Sequence, residues 1–169
     1  MAQLVNDMLY LAKADHGLLN PRREPLELDH EVQALLEFYA MLAEDSQIEL
    51  TREGSARMAG DRSMLRRALS NLLDNAMRYT PAGGAIRVLM GQSAAGVRIS
   101  IENTGPGIPA ELLPRLFDRF YRADPARREG SSEHAGLGLA ITLSIIRAHG
   151  GQIRCESQDG VTRFVIDLP

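Results

Sequence analysis

The stretch NLLDNAMRYTP at residues 71–81 places two amide side chains within an otherwise apolar helical pattern. Asn71 and Asn75 are four residues apart, so both lie on one face of the predicted helix. An amide that is buried without partners costs free energy, and this face is therefore predicted to border a ligand. Arg78 and Tyr79 follow on the next turn and add a cation and an aromatic ring. By itself the stretch predicts only that something polar binds here.

The spacing of apolar residues predicts helices over about 1–16, 30–45, 62–79 and 137–149. Asp29 and Asp61 are predicted to cap the second and third of these helices, and PAELLPRLF is predicted to form a short helix. Strands are predicted for PLEL, QIELTRE, RMAG, AIRVLM, VRISIEN, QIRCES and TRFVID, with a hairpin around GQSAAG. Because strands, hairpins and helices are mixed, the predicted class is α+β, with one mixed sheet covered by helices.

Composition limits the cellular setting and the kinds of site. The chain has 169 residues, 44% of them hydrophobic, which is enough for one core. No run of about 18 apolar residues suggests a membrane span, and no signal peptide precedes the first helix. Cys155 is the single cysteine, so no intrachain disulfide is expected, and no Cys/His spacing predicts zinc. These features fit a reducing, cytoplasmic setting, which a soluble part of a larger membrane protein would share.

The distribution of charge is more informative than its sum. A net charge of −3 argues against a broad nucleic-acid surface. Five arginines nevertheless fall within a short stretch: Arg115, Arg119, Arg122, Arg127 and Arg128. They form either a solvated basic loop or a flap that binds anions, since guanidinium groups match phosphate oxygens.

Two glycine-rich turns precede predicted helices. ENTGPGIPAE leaves a predicted strand through Gly105 and Gly107, and HAGLGLAI carries Gly136 and Gly138 at a helix start. Each turn is compatible with an ordinary cap or connection. Each also lets the backbone approach a ligand, and a helix N-terminus favours an anion. Together with the asparagine helix and the arginines, the turns suit the metal, base and phosphates of a nucleotide.

Lysine usage excludes two common phosphate-binding sites. A P-loop and a eukaryotic-type protein kinase each place a lysine on the phosphates. The single lysine is Lys13, in the first predicted helix, where it serves neither purpose. If ATP binds, then arginine, metal and helix N-termini must neutralise its charge.

These motifs resemble the catalytic, ATP-binding domain of bacterial sensor histidine kinases, within the gyrase/Hsp90/histidine kinase/MutL superfamily. NLLDNAMRYTP is similar to the N box of that family, ENTGPGIP to its G1 box, LFDRFYRAD to its F box and AGLGLAI to its G2 box. The resemblance covers residues 24–169 and implies a Bergerat-type fold, a two-layer α/β sandwich. Residues 1–23 resemble the C-terminal end of the dimerisation and phosphoacceptor helix with its linker. The motifs are most similar to those of heavy-metal resistance sensor kinases.

The resemblance implies ATP and Mg²⁺ as cofactors and assigns roles along the asparagine helix. Asn75 would coordinate Mg²⁺ through its amide oxygen, and Asn71 would assist at the phosphates or at the metal. Arg78 would neutralise phosphate charge, and Tyr79 would pack on the adenine and ribose.

The resemblance also assigns the glycine turns to the two ends of the nucleotide. Asn103 would accept a hydrogen bond from the adenine amino group, at a position where the family usually has aspartate. Gly105 and Gly107 would admit the base, with Ile108 against its face. The start of the last helix would bind phosphates through four residues: Gly136, Leu137, Gly138 and Leu139.

The segment between the two turns is implied to be a lid over the nucleotide. Phe117 and Phe120 would anchor this lid. Arg122 would contact the γ-phosphate during transfer, and Arg119 would be a second phosphate contact. His134 replaces the first glycine of the G2 box.

The implied activity is that of an ATP-dependent protein-histidine kinase in two-component signalling, as a catalytic module only. Family members that hydrolyse ATP carry a glutamate at the position of Asn71, and an amide cannot take a proton from water. The phosphoacceptor motif H-E-[LF]-[RK]-T does not occur in the sequence, and none of the four histidines is expected to be phosphorylated. His149 falls at a helix C-terminus, where a cationic histidine suits the helix dipole. A nucleotide-binding regulatory domain that has lost transfer stays open as the alternative, with Asn103 and His134 as its hints.

The expected partners also follow from the resemblance. They are the protein's own dimerisation and phosphoacceptor domain and, through the full-length kinase, a response regulator. No nucleic acid and no direct membrane contact are expected for this fragment. It would be the cytoplasmic portion of an inner-membrane sensor kinase. Other segments of that kinase would sense heavy metals.

Overall fold

The structure is a computed structural model that describes residues 2–121 and 136–169. Within these residues the chain forms helices and strands in the following order: α1 (Ala2–Asp15), β1 (Glu24–Glu27), α2 (Leu28–Asp45), β2 (Glu49–Gly54), β3 (Arg57–Gly60), α3 (Arg62–Tyr79), β4 (Ala85–Ser93), β5 (Gly96–Thr104), a short 3-10 helix (Leu113–Arg115), α4 (Gly138–Ala148), β6 (Gln152–Gln158) and β7 (Val161–Leu168).

One mixed sheet organises the molecule. Its strand order is β2-β4-β5-β7-β6, with β2 parallel to β4 and the other neighbours antiparallel. β1 and β3 form a separate antiparallel pair. The predicted hairpin joins β4 to β5, and a turn at Asp159-Gly160 joins β6 to β7, with both residues at positive φ, 53° and 75°.

The two faces of this sheet have different surroundings. Alternate residues of β4 and β5, such as Val88 and Ile101, are buried in one core with the helices. The opposite face carries ion pairs between strands, including Arg98 to Asp167 at 2.7 Å. Since helices cover one face and water the other, the predicted α+β, two-layer class is confirmed.

Helix α3 is positioned by a cap and by an apolar stripe. The Asp61 Oδ1 atom accepts a hydrogen bond from the Met64 backbone N–H at 3.1 Å, which confirms the predicted cap. The opposite side of the helix is buried through its aliphatic residues: Leu65, Ala68, Leu69, Leu72, Leu73 and Ala76. This packing holds the asparagine-bearing face at the edge of the core.

The predicted cap at Asp29 is wrong. Helix α2 begins at Leu28, so Asp29 lies inside its first turn, and Glu27 precedes the helix without a side-chain hydrogen bond to it. Strand β1 runs directly into α2, and the Leu28 N–H donates to the Ala56 carbonyl at 2.9 Å. The backbone of a neighbouring segment therefore satisfies the helix start in place of a cap.

The short helix predicted for PAELLPRLF is reduced to a single 3-10 turn, Leu113–Arg115. Pro114 lies within it, and proline has no N–H to donate and disfavours helical geometry in the residue before it. The segment therefore continues as turns on either side.

His149 is buried at the end of α4, with 1% of its surface exposed. Its Nε2 atom accepts a hydrogen bond from the Asp61 backbone N–H at 3.1 Å, and its Nδ1 donates to the Ile145 carbonyl at 2.9 Å. A ring nitrogen that accepts from a backbone N–H carries no proton. In this geometry the ring joins the end of α4 to Asp61, the residue that caps α3.

Helix α1 packs against α4, and its Leu11 is 1% exposed within the common core. The division of the chain at residue 23 stays a prediction. Across the described parts of the chain, no helix has both the length and the apolar character needed to cross a membrane.

Candidate active site

A cavity of about 580 Å³ lies between the asparagine face of α3, the turn after β5 and the start of α4. Most of the residues singled out in the sequence line it: Asn71, Asn75, Arg78, Tyr79, Asn103, Gly105, Gly107, Ile108, Gly136, Leu137, Gly138 and Leu139. Motifs that are separated by up to about 70 positions in the chain therefore meet at one site.

The wall formed by α3 follows helical periodicity. Asn71, Asn75 and Arg78 share one face, and Arg67 and Asp74 lie on the same face and also line the cavity. The Arg78 guanidinium is 5.8 Å from the centre of the Tyr79 ring, so cation and ring are neighbours here. This wall presents two amides, two cations and one carboxylate to a ligand.

Asn71 joins α3 to the start of α4. Its Nδ2 donates to the Gly138 carbonyl at 3.1 Å, and the Thr142 hydroxyl donates to the same carbonyl at 2.9 Å. The amide orientation is thereby set, with the Asn71 Oδ1 atom left as an acceptor. The contact also fixes the first turn of α4 beside the asparagine face.

Gly136 makes the approach to α4 possible. Its φ is +82°, and a Cβ atom at this position would lie 2.8 Å from the Phe120 carbonyl carbon. The Phe120 N–H donates to the Gly136 carbonyl at 3.1 Å. The first N–H groups of a helix have no partner within the helix and favour anions. Since Leu137, Gly138 and Leu139 line the cavity, this helix start can bind a negatively charged group.

The end of β5 forms the opposite, more enclosed part of the cavity. Asn103 is 5% exposed, and its Nδ2 donates to the Thr104 carbonyl at 3.3 Å, which leaves Oδ1 as an acceptor. A Cβ atom on Gly105 would lie 2.9 Å from the Tyr79 carbonyl oxygen, so only glycine lets these two segments approach. The Ile108 N–H donates to the Ser157 hydroxyl at 2.8 Å, which ties this turn to β6.

Three predicted lid residues lie outside the cavity lining. Phe117 packs edge-to-face on Phe164, with ring centres 6.1 Å apart, and Phe164 itself lines the cavity. Arg119 forms an ion pair with Asp15 at 2.5 Å, and this hydrogen bond lowers the pKa of the Asp15 carboxyl. Phe120 is 55% exposed. Arg122, and likewise the substitution at His134, lie outside the described residues.

The structure also brings in residues that were not singled out in the sequence. Helix α1 contributes Gln3 and Asp7, and β7 contributes Thr162, which lies opposite Asn103 in the sheet. Asp74 and Arg67 carried a signal, because they share the helical period of Asn71. Gln3, Asp7 and Thr162 had no such signal in the sequence, since only the tertiary fold brings α1 and β7 to the cavity.

The buried Tyr39 of α2 supports this wall from behind. Its hydroxyl donates to the Asp74 Oδ1 atom at 2.6 Å and lies 3.2 Å from the Ser70 carbonyl. Burial, followed by the nearby Asp74 carboxylate, raises the pKa of Tyr39 well above its usual value. The phenol therefore stays protonated and keeps donating to Asp74 at physiological pH.

Comparisons with known proteins agree with this arrangement. A family model described as histidine kinase-, DNA gyrase B- and HSP90-like ATPase matches residues 60–169. Sensor histidine kinase CusS of Escherichia coli O157:H7 is 50% identical over 170 residues, which cover 100% of this chain and 35% of that protein. The chain thus spans about a third of the length of this curated relative.

Solved structures share the fold over almost the whole chain. The Acinetobacter baumannii histidine kinase AdeS superposes with a TM-score of 0.83 at 26% identity, covering 99% of this chain and 77% of that one. Full-length ShkA in complex with AMPPNP gives a TM-score of 0.85 at 26% identity, covering 98% of this chain and 35% of that one. The resemblance inferred from the four motifs is confirmed. The chain therefore belongs to the family of histidine kinase-, DNA gyrase B- and HSP90-like ATPases, as the catalytic, ATP-binding domain of a sensor histidine kinase.

Proposed function

We propose that this chain binds Mg-ATP and delivers the γ-phosphate to a histidine of the dimerisation domain of its full-length protein. The observation that carries the proposal is the meeting of the asparagine face, the glycine turn and the α4 N-terminus in one cavity, with Asn71 on its wall. An amide at this position cannot accept a proton from water, which favours transfer to another group over hydrolysis.

The described residues fit ATP. The buried Asn103 has an acceptor oxygen that suits an exocyclic amino group, and the Gly105 turn admits a flat ring beside it. The α4 N-terminus, Arg78 and Arg67 suit the phosphates at the other end of the cavity. ShkA, which has the same fold, is known in complex with AMPPNP, an ATP analogue.

The residues also fit magnesium, in a particular way. Among the described residues, no group of three or more histidine, cysteine, aspartate or glutamate side chains is arranged to hold a metal. The amides of Asn75 and Asn71 supply neutral oxygen ligands on the cavity wall. Mg²⁺ is commonly held by few protein oxygens together with substrate phosphates, and it neutralises phosphate charge during transfer. We therefore assign Asn75, assisted by Asn71, to the metal.

Catalysis by this chain would consist of positioning and electrostatic stabilisation. Asn103, Gly105 and Ile108 would hold the base, and Tyr79 would pack on the adenine and ribose. The first turn of α4, locked to α3 by Asn71, would hold the phosphates in one orientation. Arg122 is proposed to contact the γ-phosphate and Arg119 to assist, with Phe117 and Phe120 anchoring the lid.

The remaining roles concern the full-length protein and are proposals as well. The acceptor histidine would belong to its dimerisation domain, and a response regulator would receive the phosphoryl group. The similarity of the motifs to those of heavy-metal resistance kinases supports heavy metals as the signal that the full-length protein senses. The chain would then be the cytoplasmic part of an inner-membrane kinase.

Transfer can be tested by mixing the chain with Mg-ATP and a separately purified phosphoacceptor domain of the cognate kinase. We expect acid-labile phosphohistidine on the acceptor domain. Nucleotide binding without any phosphohistidine would instead support the regulatory alternative. Arg122→Ala should abolish transfer while largely sparing AMPPNP binding, and an equal loss of both would contradict its role. Asn75→Ala should remove the magnesium dependence of binding, whereas Asn6→Ala, on the exposed side of α1, should not.

A further inference from the structure

Asp74 occupies an unexpected place on the wall of the nucleotide cavity. It directly precedes Asn75 on α3, and its side chain lines the cavity. Its Oδ1 atom accepts the 2.6 Å hydrogen bond from Tyr39, which lies on α2 and is 5% exposed. Tyr39 itself does not line the cavity. The carboxylate is thus held from behind by a residue that no ligand in the cavity would touch.

The negative charge of Asp74 is unexpected in a cavity that would bind the phosphates of a nucleotide. Among the residues that the structure describes, two carboxylates line this cavity, Asp7 and Asp74. Asp7 accepts hydrogen bonds from Arg67 at 2.8 Å and from Gln3 at 2.9 Å, so its charge is compensated. Asp74 makes no ion pair with any arginine or lysine of the described chain. A carboxylate in this position repels phosphates unless a cation lies between them.

We propose that Asp74 supplies the negative charge of the magnesium site and binds the hydrated ion next to Asn75. Tyr39 is the residue that positions Asp74. This inference rests on the proposed binding of Mg-ATP. Mg²⁺ keeps several waters and is usually bound through one or two carboxylates plus substrate phosphates. Asn71 and Asn75 are neutral, so Asp74 is the group on this wall that turns repulsion of the nucleotide into attraction through the metal.

The contact geometry explains how Tyr39 positions the Asp74 carboxylate. A phenol has one proton, and the 2.6 Å contact to a carboxylate oxygen is the shorter, charge-assisted bond, compared with 3.2 Å to the Ser70 carbonyl. The Tyr39 ring also contacts the ring of the neighbouring Phe38 edge-to-face, with ring centres 5.4 Å apart. Oδ1 is engaged towards α2, so the second oxygen of Asp74 is the one assigned to the metal in this proposal. Partners of this kind orient metal-binding groups and tune the metal.

The competing interpretation is that the contact merely ties α2 to α3. Loss of such a tie would lower stability and weaken nucleotide binding to the same extent with and without magnesium. A role at the metal has a different signature, because it changes only the gain in affinity that magnesium confers.

The experiment is a calorimetric titration of the chain with AMPPNP, in excess Mg²⁺ and in EDTA. For Asp74→Asn we expect unchanged or tighter binding in EDTA and a magnesium gain that is about 10–100-fold smaller than in the wild type. Tyr39→Phe should reduce the magnesium gain in the same direction by up to about tenfold. Thermal unfolding of each variant shows that it is folded, and Tyr39→Phe provides the test if Asp74→Asn does not fold.

Two matched controls separate these effects from loss of a hydroxyl or a charge in general. Tyr10→Phe removes a buried hydroxyl that has no hydrogen-bond partner among the described residues, and Asp45→Asn removes an exposed carboxylate at the end of α2. Both should keep the full magnesium gain. An unchanged gain in Asp74→Asn and Tyr39→Phe, or equal losses with and without magnesium, would overturn the inference while leaving Mg-ATP binding intact. A wild-type chain that does not bind AMPPNP would instead overturn the proposed function, and the inference with it.

Discussion

Asp7 of α1 and Arg67 of α3 form a hydrogen-bonded ion pair at 2.8 Å on the wall of the nucleotide cavity. The Arg67 guanidinium also lies 4.2 Å from the centre of the Tyr10 ring, so α1 holds this cation from two sides. Near the other end of α1, Asp15 pairs with Arg119 of the predicted lid. Helix α1 is therefore a part of the cavity wall, and its charges act on whatever binds there.

Asp7→Asn is expected to tighten nucleotide binding. The substitution removes a negative charge from the cavity and frees Arg67 for phosphate oxygens, which should raise AMPPNP affinity about threefold to tenfold, or about 1 kcal/mol. Calorimetric titration at low salt measures this change, and the gain should shrink near 1 M salt. Asp45→Asn, which is distant in sequence and exposed, should leave affinity unchanged. Weaker binding by Asp7→Asn would show that the ion pair stabilises the binding site rather than withholding Arg67 from the phosphates.

Asn71→Asp is expected to destabilise the chain although the two side chains have the same shape. The new carboxylate oxygen would face the Gly138 carbonyl, where Nδ2 now donates at 3.1 Å. Loss of this donor should cost about 1–3 kcal/mol in the free energy of unfolding and weaken AMPPNP binding. Urea denaturation measures the first effect. The exposed Asn6→Asp serves as the control, and equal stability of the two variants would argue against the contact.

Gly105→Ala is expected to disturb the cavity through a steric clash alone. Its Cβ atom would lie 2.9 Å from the Tyr79 carbonyl oxygen, so the end of α3 or the turn must move. Overpacking of this kind typically costs about 1–3 kcal/mol, and AMPPNP affinity should fall as well. Gly91→Ala is the matched control, because nothing lies within 4 Å of a Cβ atom there. Near-equal thermal unfolding of both variants would contradict the close approach.

Asp61 is expected to make stability depend on pH in the acid range. Burial raises the pKa of this carboxyl, but hydrogen bonds from backbone N–H groups, including those of Arg22 and Met64, outweigh that effect, so the pKa is lowered. A lowered folded-state pKa means that this stabilisation is fully present above the unfolded value of about 3.9 and is lost as pH falls through the folded value.

The variant Asp61→Ala should therefore lose about 1 kcal/mol at pH 7 and lose less, relative to the wild type, at pH 2–3. Urea denaturation across this pH range measures the difference. Asp61→Asn retains an acceptor for the Met64 N–H and should keep most of the stability at pH 7. A difference between Asp61→Ala and the wild type that stayed constant with pH would show that the carboxylate charge does not contribute.

The asparagine face of α3 could be predicted because a single helical period carries both the apolar stripe and the amides. The same period includes Arg67 and Asp74, but charged side chains on an amphipathic helix usually face solvent, so this signal was too weak to single them out. The cap at Asp61 was equally local and was confirmed. The cap at Asp29 failed because a distant backbone carbonyl, that of Ala56, takes over the helix start.

Other parts of the site depend on contacts between distant residues. Tyr39 and Asp74 are 35 positions apart, and Arg67 and Asp7 are 60 positions apart. Thr162 reaches the cavity because β7 pairs with β5 in a register that sets it opposite Asn103. No local pattern specifies such pairs, since they result from how helices pack on the sheet and how strands align.

The sequence by itself determined the α+β class, because helical and strand periods are local properties. Its four motifs also carried the resemblance to the family and named about half of the residues that line the cavity. The tertiary structure alone decided that α1 closes one side of the cavity and that His149 is a buried link between α4 and the start of α3. It also decided that Asp74 is held from behind by Tyr39. These features depend on which surfaces are buried against each other, and burial is a property of the whole packed chain.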